Sequence, residues 1–418
     1  MTALIQSPSL PKDRIKVLLL EGISDSAAQI FSDAGYSNLE RRKGAMDEAE
    51  LIEALQEVRI LGVRSRSQIS QRVLESSNRL IVVGCFSVGT NQVALESAHL
   101  RGVPVFNAPF SNTRSVAELT IAEIVMLYRR TFPRSQAAHA GQWEKSAAGS
   151  HEVRGKTLGI VGYGNIGSQL ALLAEAMSMR VIYVDRTDKL RHGNVTPVDS
   201  LDDLLSQADV VSLHVPDTPE TRGMIGAREL GLMKPGAFLI NNARGSVVDL
   251  AALATALGEG RLGGAAVDVF PVEPGSNADP FASPLQGLDN VILTPHVGGS
   301  TQEAQERIGE EVARKLVEYS DVGSTAGAVN FPEVQLPVRP AGTRFIQVQR
   351  NLPGELGRLN AVFAGHEINI AAQYYQTDGE VGYVVLDAEG AVPDAGAIVQ
   401  EIRDLPGTIR ARVLNRVV

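Results

Sequence analysis

Residues 156–177, KTLGIVGYGNIGSQLALLAEAM, admit few folds. A strand-like apolar run ends in Gly162, Gly164 and Gly167, in G-x-G-x-x-G spacing, and a helical pattern begins at once. Glycines at this spacing arise by chance, but the flanking strand and helix give each a task. The first permits a tight turn, the second lets backbone N–H groups approach a pyrophosphate, and the third lets helix and strand pack closely. At the end of the next strand-like run, RVIYVD, stands Asp185, where a carboxylate accepts hydrogen bonds from both adenosine ribose hydroxyls. The combination predicts a dinucleotide site. Asp185 repels a 2′-phosphate, which favours NAD over NADP, and Arg186 directly after it softens that preference.

Strand-like and helix-like runs alternate on both sides of this stretch. IKVLLL, ILGV, LIVVGCFS and VPVFN precede it, and VVSLHVP, AFLINNA, GAAVDVF and NVILTPH follow. Such alternation predicts an α/β chain with two doubly wound, Rossmann-like parallel sheets. A long apolar-periodic helix, SVAELTIAEIVMLYRRT, introduced by the capping-type SNTRS, lies between the two series. After the helix TQEAQERIGEEVARKLVEYSD, the Gly- and Pro-rich VGSTAGAVNFPEVQLPVRPAG reads as a linker. The last segment orders strand, helix, strand, strand, helix, strand, the ferredoxin-like βαββαβ arrangement.

A chain of 418 residues predicts two to three domains. Hydrophobic residues are 44% and charged residues 21%, enough apolar material for sizeable cores. The net charge of −9 argues against nucleic acid or an anionic membrane surface as partner and leaves small anionic substrates open. No apolar run reaches the ~18 residues of a membrane span, and MTALIQSPSLPKDR lacks a signal peptide's apolar core. A cytoplasmic protein with a frayed N-terminal arm is therefore expected. The single Cys85 reads as a small core residue rather than a nucleophile. No metal site is expected, because CxxC, HExxH and calcium-loop patterns are missing.

Three further motifs fall at predicted strand ends, where open α/β sheets bind ligands. NNARGSVVD carries Arg244, AAVDVFPVEP carries Asp268 and Glu273, and LTPHVGGST carries His296. Singly, each has a bland explanation: a surface ion pair for Arg244, a turn carboxylate for Glu273, a loop cap for His296. Their joint occurrence after a dinucleotide fingerprint favours catalysis.

On these motifs, together with FNAPFSNTRSVAEL, NFPEV and PGTIRAR, the sequence resembles the D-isomer-specific 2-hydroxyacid dehydrogenases. Over nearly its whole length it is similar to the branch that oxidises D-3-phosphoglycerate and carries a C-terminal ACT domain. The resemblance implies a catalytic triad of Arg244, Glu273 and His296. It adds Asn165, Ile166, Asn242, Ala243, Asp268, Val297, Gly298 and Gly299 to the cofactor-contacting set. It also implies a discontinuous substrate-binding domain, 1–111 with 301–325, that closes over an NAD-binding domain at 112–300. A linker at 326–341 and an ACT domain at 342–418 complete the expected organisation. The residue types suit the chemistry. Hydride leaves a secondary alcohol only if its hydroxyl proton leaves too, and a histidine accepts that proton near neutral pH. A carboxylate steadies the imidazolium, and a guanidinium offers a planar fork to the substrate carboxylate.

Substrate contacts are less sharply marked. GVRSRSQIS places Arg64 and Arg66 at a strand-to-loop junction, and RRK adds Lys43, donors that suit a phosphate or form a solvated basic patch. The resemblance favours Arg64 as a substrate contact with Ser65 and Asn112 beside it. His214, flanked by apolar residues, reads as part of the cleft wall. In the tail, the resemblance implies L-serine as an inhibitor bound between paired ACT domains, with Asn351 and Asn369 as ligands. Gln349 stands where strongly inhibited relatives carry histidine. A homotetramer is expected. Two other readings remain: a reductase of glyoxylate, hydroxypyruvate or 2-oxoglutarate, which the ACT-like tail disfavours, and an NAD(H)-sensing corepressor, which the intact triad disfavours.

Overall fold

A computed structural model describes residues 10–275, 278–337 and 342–416. The chain divides into two compact units, Met1–Ser111 with Gln305–Val418, and Asn112–Ala304.

In the first unit, β1 (Lys16–Leu19), β2 (Leu39–Arg41), β3 (Val58–Val63), β4 (Val82–Cys85) and β5 (Val105–Phe106) form a parallel sheet in the order β2-β1-β3-β4-β5. β4 is buried along its whole length, as its apolar run requires, and β3 is buried except at Arg59. Cys85 is a buried core thiol, and burial pushes its pKa up to about 12.

The second unit holds β6 (Thr157–Val161), β7 (Arg180–Val184), β8 (Thr196–Pro197), β9 (Val210–Leu213), β10 (Phe238–Asn241), β11 (Gly264–Val267) and β12 (Val291–Leu293). All pair parallel in the order β12-β11-β10-β9-β6-β7-β8. The order reverses between β6 and β9, so a crevice opens beyond their carboxyl ends. Close packing behind this crevice depends on small residues. A Cβ on Gly159, inside β6, would meet the Leu204 side chain at 2.6 Å.

The tail forms β13 (Gly342–Arg350), β14 (Ile370–Thr377), β15 (Val381–Ala388) and β16 (Thr408–Arg416), antiparallel in the order β14-β15-β13-β16. The helices Glu355–Gly365 and Ala395–Asp404 complete the βαββαβ unit. Its helices cover Phe345, Val384 and Leu386, whereas Ile346, Val348, Tyr383 and Val385 join the core of the first sheet. Tyr383 Oη donates to the Gly323 carbonyl at 2.5 Å across this junction.

Two local expectations change. The segment read as linker is packed as far as it is described: Phe331, Val334 and Leu336 are buried, and Val329 N donates to Val105 O at 2.8 Å. Its spaced apolar residues supply that core, and residues 338–341 lie outside the described ones. Asn112 stands at the N-cap of the helix Thr113–Arg129 but makes no side-chain cap bond.

Candidate active site

The fingerprint glycines occupy the turn between β6 and the helix Asn165–Ala176. Gly162 has φ +93°, and a Cβ there would meet the His214 carbonyl oxygen at 2.5 Å. A Cβ on Gly167 would meet the Gly162 carbonyl oxygen at 2.4 Å, so the helix seats directly on the strand. Gly164, at the N-cap, has open space around its Cα and no side chain capping the helix. Unfilled room at a helix start with free N–H groups suits a pyrophosphate. The residues present thus fit NAD, with Asn165 and Ile166 in the helix's first turn. Asp185 Oδ2 accepts from Tyr163 N at 2.9 Å and Oδ1 from Thr187 N at 3.1 Å, which holds the carboxylate beside the turn. His214 is half-buried with Nε2 2.9 Å from Ser212 Oγ, and desolvation lowers its pKa to about 4, so its imidazole is neutral.

Glu273 and His296 meet. His296 Nδ1 lies 2.8 Å and 3.1 Å from the two Glu273 carboxylate oxygens. The hydrogen bond to Glu273 raises the His296 pKa against the opposing effect of burial. Burial favours the neutral Glu273, but the bond and charge of His296, the Phe270 amide and the charge of Arg244 outweigh it and hold the carboxylate low. His296 has φ +54°, a left-handed conformation rare outside glycine. Asp268 enforces it. Its carboxylate accepts from Thr294 Oγ1 at 2.6 Å and from Val297 N and Gly298 N at 2.8 Å, while His296 N donates to its carbonyl at 2.8 Å. Gly299 lies against Asn112, whose Nδ2 a Cβ would meet at 2.4 Å.

Arg244 follows β10 and donates from its guanidinium to the Ala243 carbonyl at 2.7 Å. Behind it, buried Asn242 donates to Glu123 Oε2 at 2.7 Å and Thr120 Oγ1 at 3.0 Å. Glu123 is 1% exposed, and burial chiefly raises its pKa to about 7. Sequence reasoning passed over this acid, although it interrupts the apolar run TIAEIVML.

In the first unit, Arg64, Ser65 and Arg66 form a loop at the carboxyl end of β3. Their N–H groups and that of Ser67 donate to the buried Glu21 carboxylate at 2.9–3.3 Å. Those bonds hold Glu21 ionised against burial, which alone raises its pKa. Burial lowers the Arg64 pKa, with the charge of Glu21 opposing it. Lys43 borders the same corner, since Glu21 N donates to Gly44 O and Gly22 N to Arg42 O. Glu21 was also missed; its signal is an acid ending the apolar run IKVLLL.

The tail residues separate. Gln349 is buried in β13. Asn351 donates to Gly379 O at 3.2 Å and accepts from Tyr375 Oη at 3.1 Å, beside the far end of β14. Asn369, at the near end of β14, donates to Glu389 Oε2 at 3.2 Å. The two asparagines thus stand at opposite ends of β14.

The model of the D-isomer specific 2-hydroxyacid dehydrogenase NAD binding domain matches residues 121–298, and that of the AHAS small subunit-like ACT domain matches 346–410. The D-3-phosphoglycerate dehydrogenase of Escherichia coli (strain K12) is 54% identical over 97% of this chain and 99% of its own. That of Dictyostelium discoideum is 46% identical over 97% and 98%. The D-lactate dehydrogenase of Aquifex aeolicus, solved with NAD and lactic acid, superposes with a TM-score of 0.65 at 28% identity, over 76% of this chain and 100% of its own. The chain belongs to the D-isomer-specific 2-hydroxyacid dehydrogenase family, among the D-3-phosphoglycerate dehydrogenases.

Proposed function

We propose that this chain oxidises D-3-phosphoglycerate to 3-phosphohydroxypyruvate, the step that opens phosphorylated L-serine synthesis. The observation that carries the reading is the 2.8 Å Glu273–His296 pair in a chain so similar to relatives of that name. With Nδ1 engaged by Glu273, Nε2 of His296 takes the substrate's C2 hydroxyl proton, and Glu273 stabilises the imidazolium. Arg244 turns its guanidinium to the substrate carboxylate. Arg64, Ser65, Arg66, Lys43 and Asn112 serve the phosphate end. NAD, held by the glycine turn and Asp185, supplies the hydride acceptor. Ala243 and the Val297–Gly299 loop contact it, while Asn242 and Asp268 back the same surface. Purified protein should consume NADH on addition of 3-phosphohydroxypyruvate with kcat/KM at least tenfold above that for glyoxylate or 2-oxoglutarate. No such preference would overturn the substrate.

The expected domain roles extend this reading: 1–111 with 301–325 for substrate, 112–300 for NAD and 342–418 for regulation, in a cytoplasmic homotetramer. L-serine is the effector, bound between paired tails by Asn351 of one and Asn369 of the other, with Gln349 near the site. The positions of the two asparagines at opposite ends of β14 support a site shared by two chains.

A further inference from the structure

A cavity of about 1140 Å³ opens in the first unit between its amino-terminal domain and the C-terminal sheet, and its wall carries nine cationic side chains against two carboxylates. The carboxylates are already engaged: Lys12 lies 2.5 Å from Asp321, and Arg344 binds Asp387 at 2.6 and 2.9 Å. Arg410 and Arg412 reach backbone carbonyls, of Arg101 and Leu80 for the first and of Tyr319 and Ser320 for the second. Carbonyl oxygens satisfy N–H groups but leave the charge uncompensated. Arg403 likewise reaches only the Ala411 carbonyl, and Arg101 only the Glu75 carbonyl and the Asn78 amide oxygen. Half-buried Arg59 faces Arg79, Arg403 and Arg412, and burial followed by these three charges lowers its pKa. Among the described residues, neither the Arg59 nor the Arg79 side chain has a hydrogen-bond acceptor or an ion-pair partner. The buried Nε atoms of Arg101 and Arg412 also find no acceptor.

Partly desolvated guanidinium groups gathered without counter-charge are unfavourable unless an anion completes them. On a chain of net charge −9 this accumulation runs against the overall balance. We propose that the cavity binds a compact, multiply charged anion, an oligophosphate or a small tricarboxylate, held by Arg59, Arg79, Arg403 and Arg412. The volume is of the order that takes a small molecule. Because both domains supply donors, the bound anion strengthens their junction.

Calorimetric titration of the full-length protein, saturated with NADH, tests the site with sodium triphosphate in one arm and citrate in the other at constant ionic strength. The expected result is saturable binding of at least one of them, about one per chain. The affinity should fall at least tenfold in the Arg59→Gln/Arg79→Gln double variant and stay unchanged in Arg64→Gln. Turnover retained by the double variant shows that it is folded. Saturation by triphosphate alone assigns a phosphate ligand, and by citrate alone a carboxylate. Flat isotherms in both arms, or binding that survives the double substitution or disappears with Arg64→Gln, would overturn the proposal.

Discussion

Both carboxylate oxygens of Glu273 reach Nδ1 of His296, at 2.8 and 3.1 Å. The contact engages one ring nitrogen, and it raises the pKa of the imidazole. Reduction of the ketone needs the imidazolium as proton donor, so rate falls as pH climbs through that pKa. Glu273→Gln weakens the hydrogen bond that chiefly raises it and removes the carboxylate charge as well, and the basic limb of kcat/KM for reduction should move to lower pH. A profile that does not move would take Glu273 out of the mechanism. His296→Asn should lower turnover by ~10²–10⁴ while fluorescence titration shows NADH still bound.

Asp185 has two duties that substitutions can separate. Its Oδ2 accepts from Tyr163 N in the glycine turn, and its charge opposes a 2′-phosphate. Asp185→Ala should weaken NAD by roughly ten- to a hundredfold, the effect of losing hydrogen bonds to a charged group, and improve the relative use of NADP. Asp185→Asn keeps an acceptor for Tyr163 N while setting its NH₂ against Thr187 N, and should give the NADP gain with less loss of NAD affinity than Asp185→Ala. Equal NAD/NADP ratios in kcat/KM for all three proteins would mean that this carboxylate does not meet the ribose.

Glu21 anchors the loop that presents Arg64. Its carboxylate receives four backbone N–H groups, and Glu21→Gln sets an amide NH₂ against some of them, a destabilisation of about 2 kcal/mol. The folded-state pKa lies below the unfolded value, so this stabilisation is present above the unfolded pKa and is lost as pH falls through the folded one. Urea unfolding should show wild type and variant converging in acid, with a raised substrate KM in the variant at neutral pH. A constant stability gap down to low pH would contradict the linkage.

Asn351 tests the tail apart from the chemistry. It contacts Gly379 and Tyr375 within its own domain. Asn351→Ala should abolish inhibition by L-serine and leave kcat unchanged in initial-rate titrations. A wild-type rate that stays flat to millimolar serine would show that the tail serves assembly or another ligand.

The glycine turn, Asp185 and the Arg244, Glu273 and His296 motifs were readable because each is a local signal: turn chemistry at the end of an apolar strand. Glu21 and Glu123 were not, because their partners lie far along the chain, Glu21 with residues 64–67 and Glu123 with Asn242. The cationic cavity is still less legible, since Arg59, Arg79, Arg101 and Arg412 come from separate segments that only the fold brings together. Composition misled at the supposed linker, where Gly and Pro masked Phe331, Val334 and Leu336. Asp268 was found by its motif, but its grip on the histidine loop follows from geometry alone.

The shared core of the first sheet and the C-terminal sheet has a consequence for synthesis. Val17, Ile60 and Phe106 emerge from the ribosome early, yet their cluster also contains Val312, Leu316, Ile346 and Tyr383. The opening third of the polypeptide therefore keeps apolar surface uncovered until the last quarter has been translated. Contacts of such long sequence separation form late. The first sheet reaches its native core only once these late segments are made, and a nascent chain stalled short of β13 is the species most exposed to aggregation and to chaperone capture.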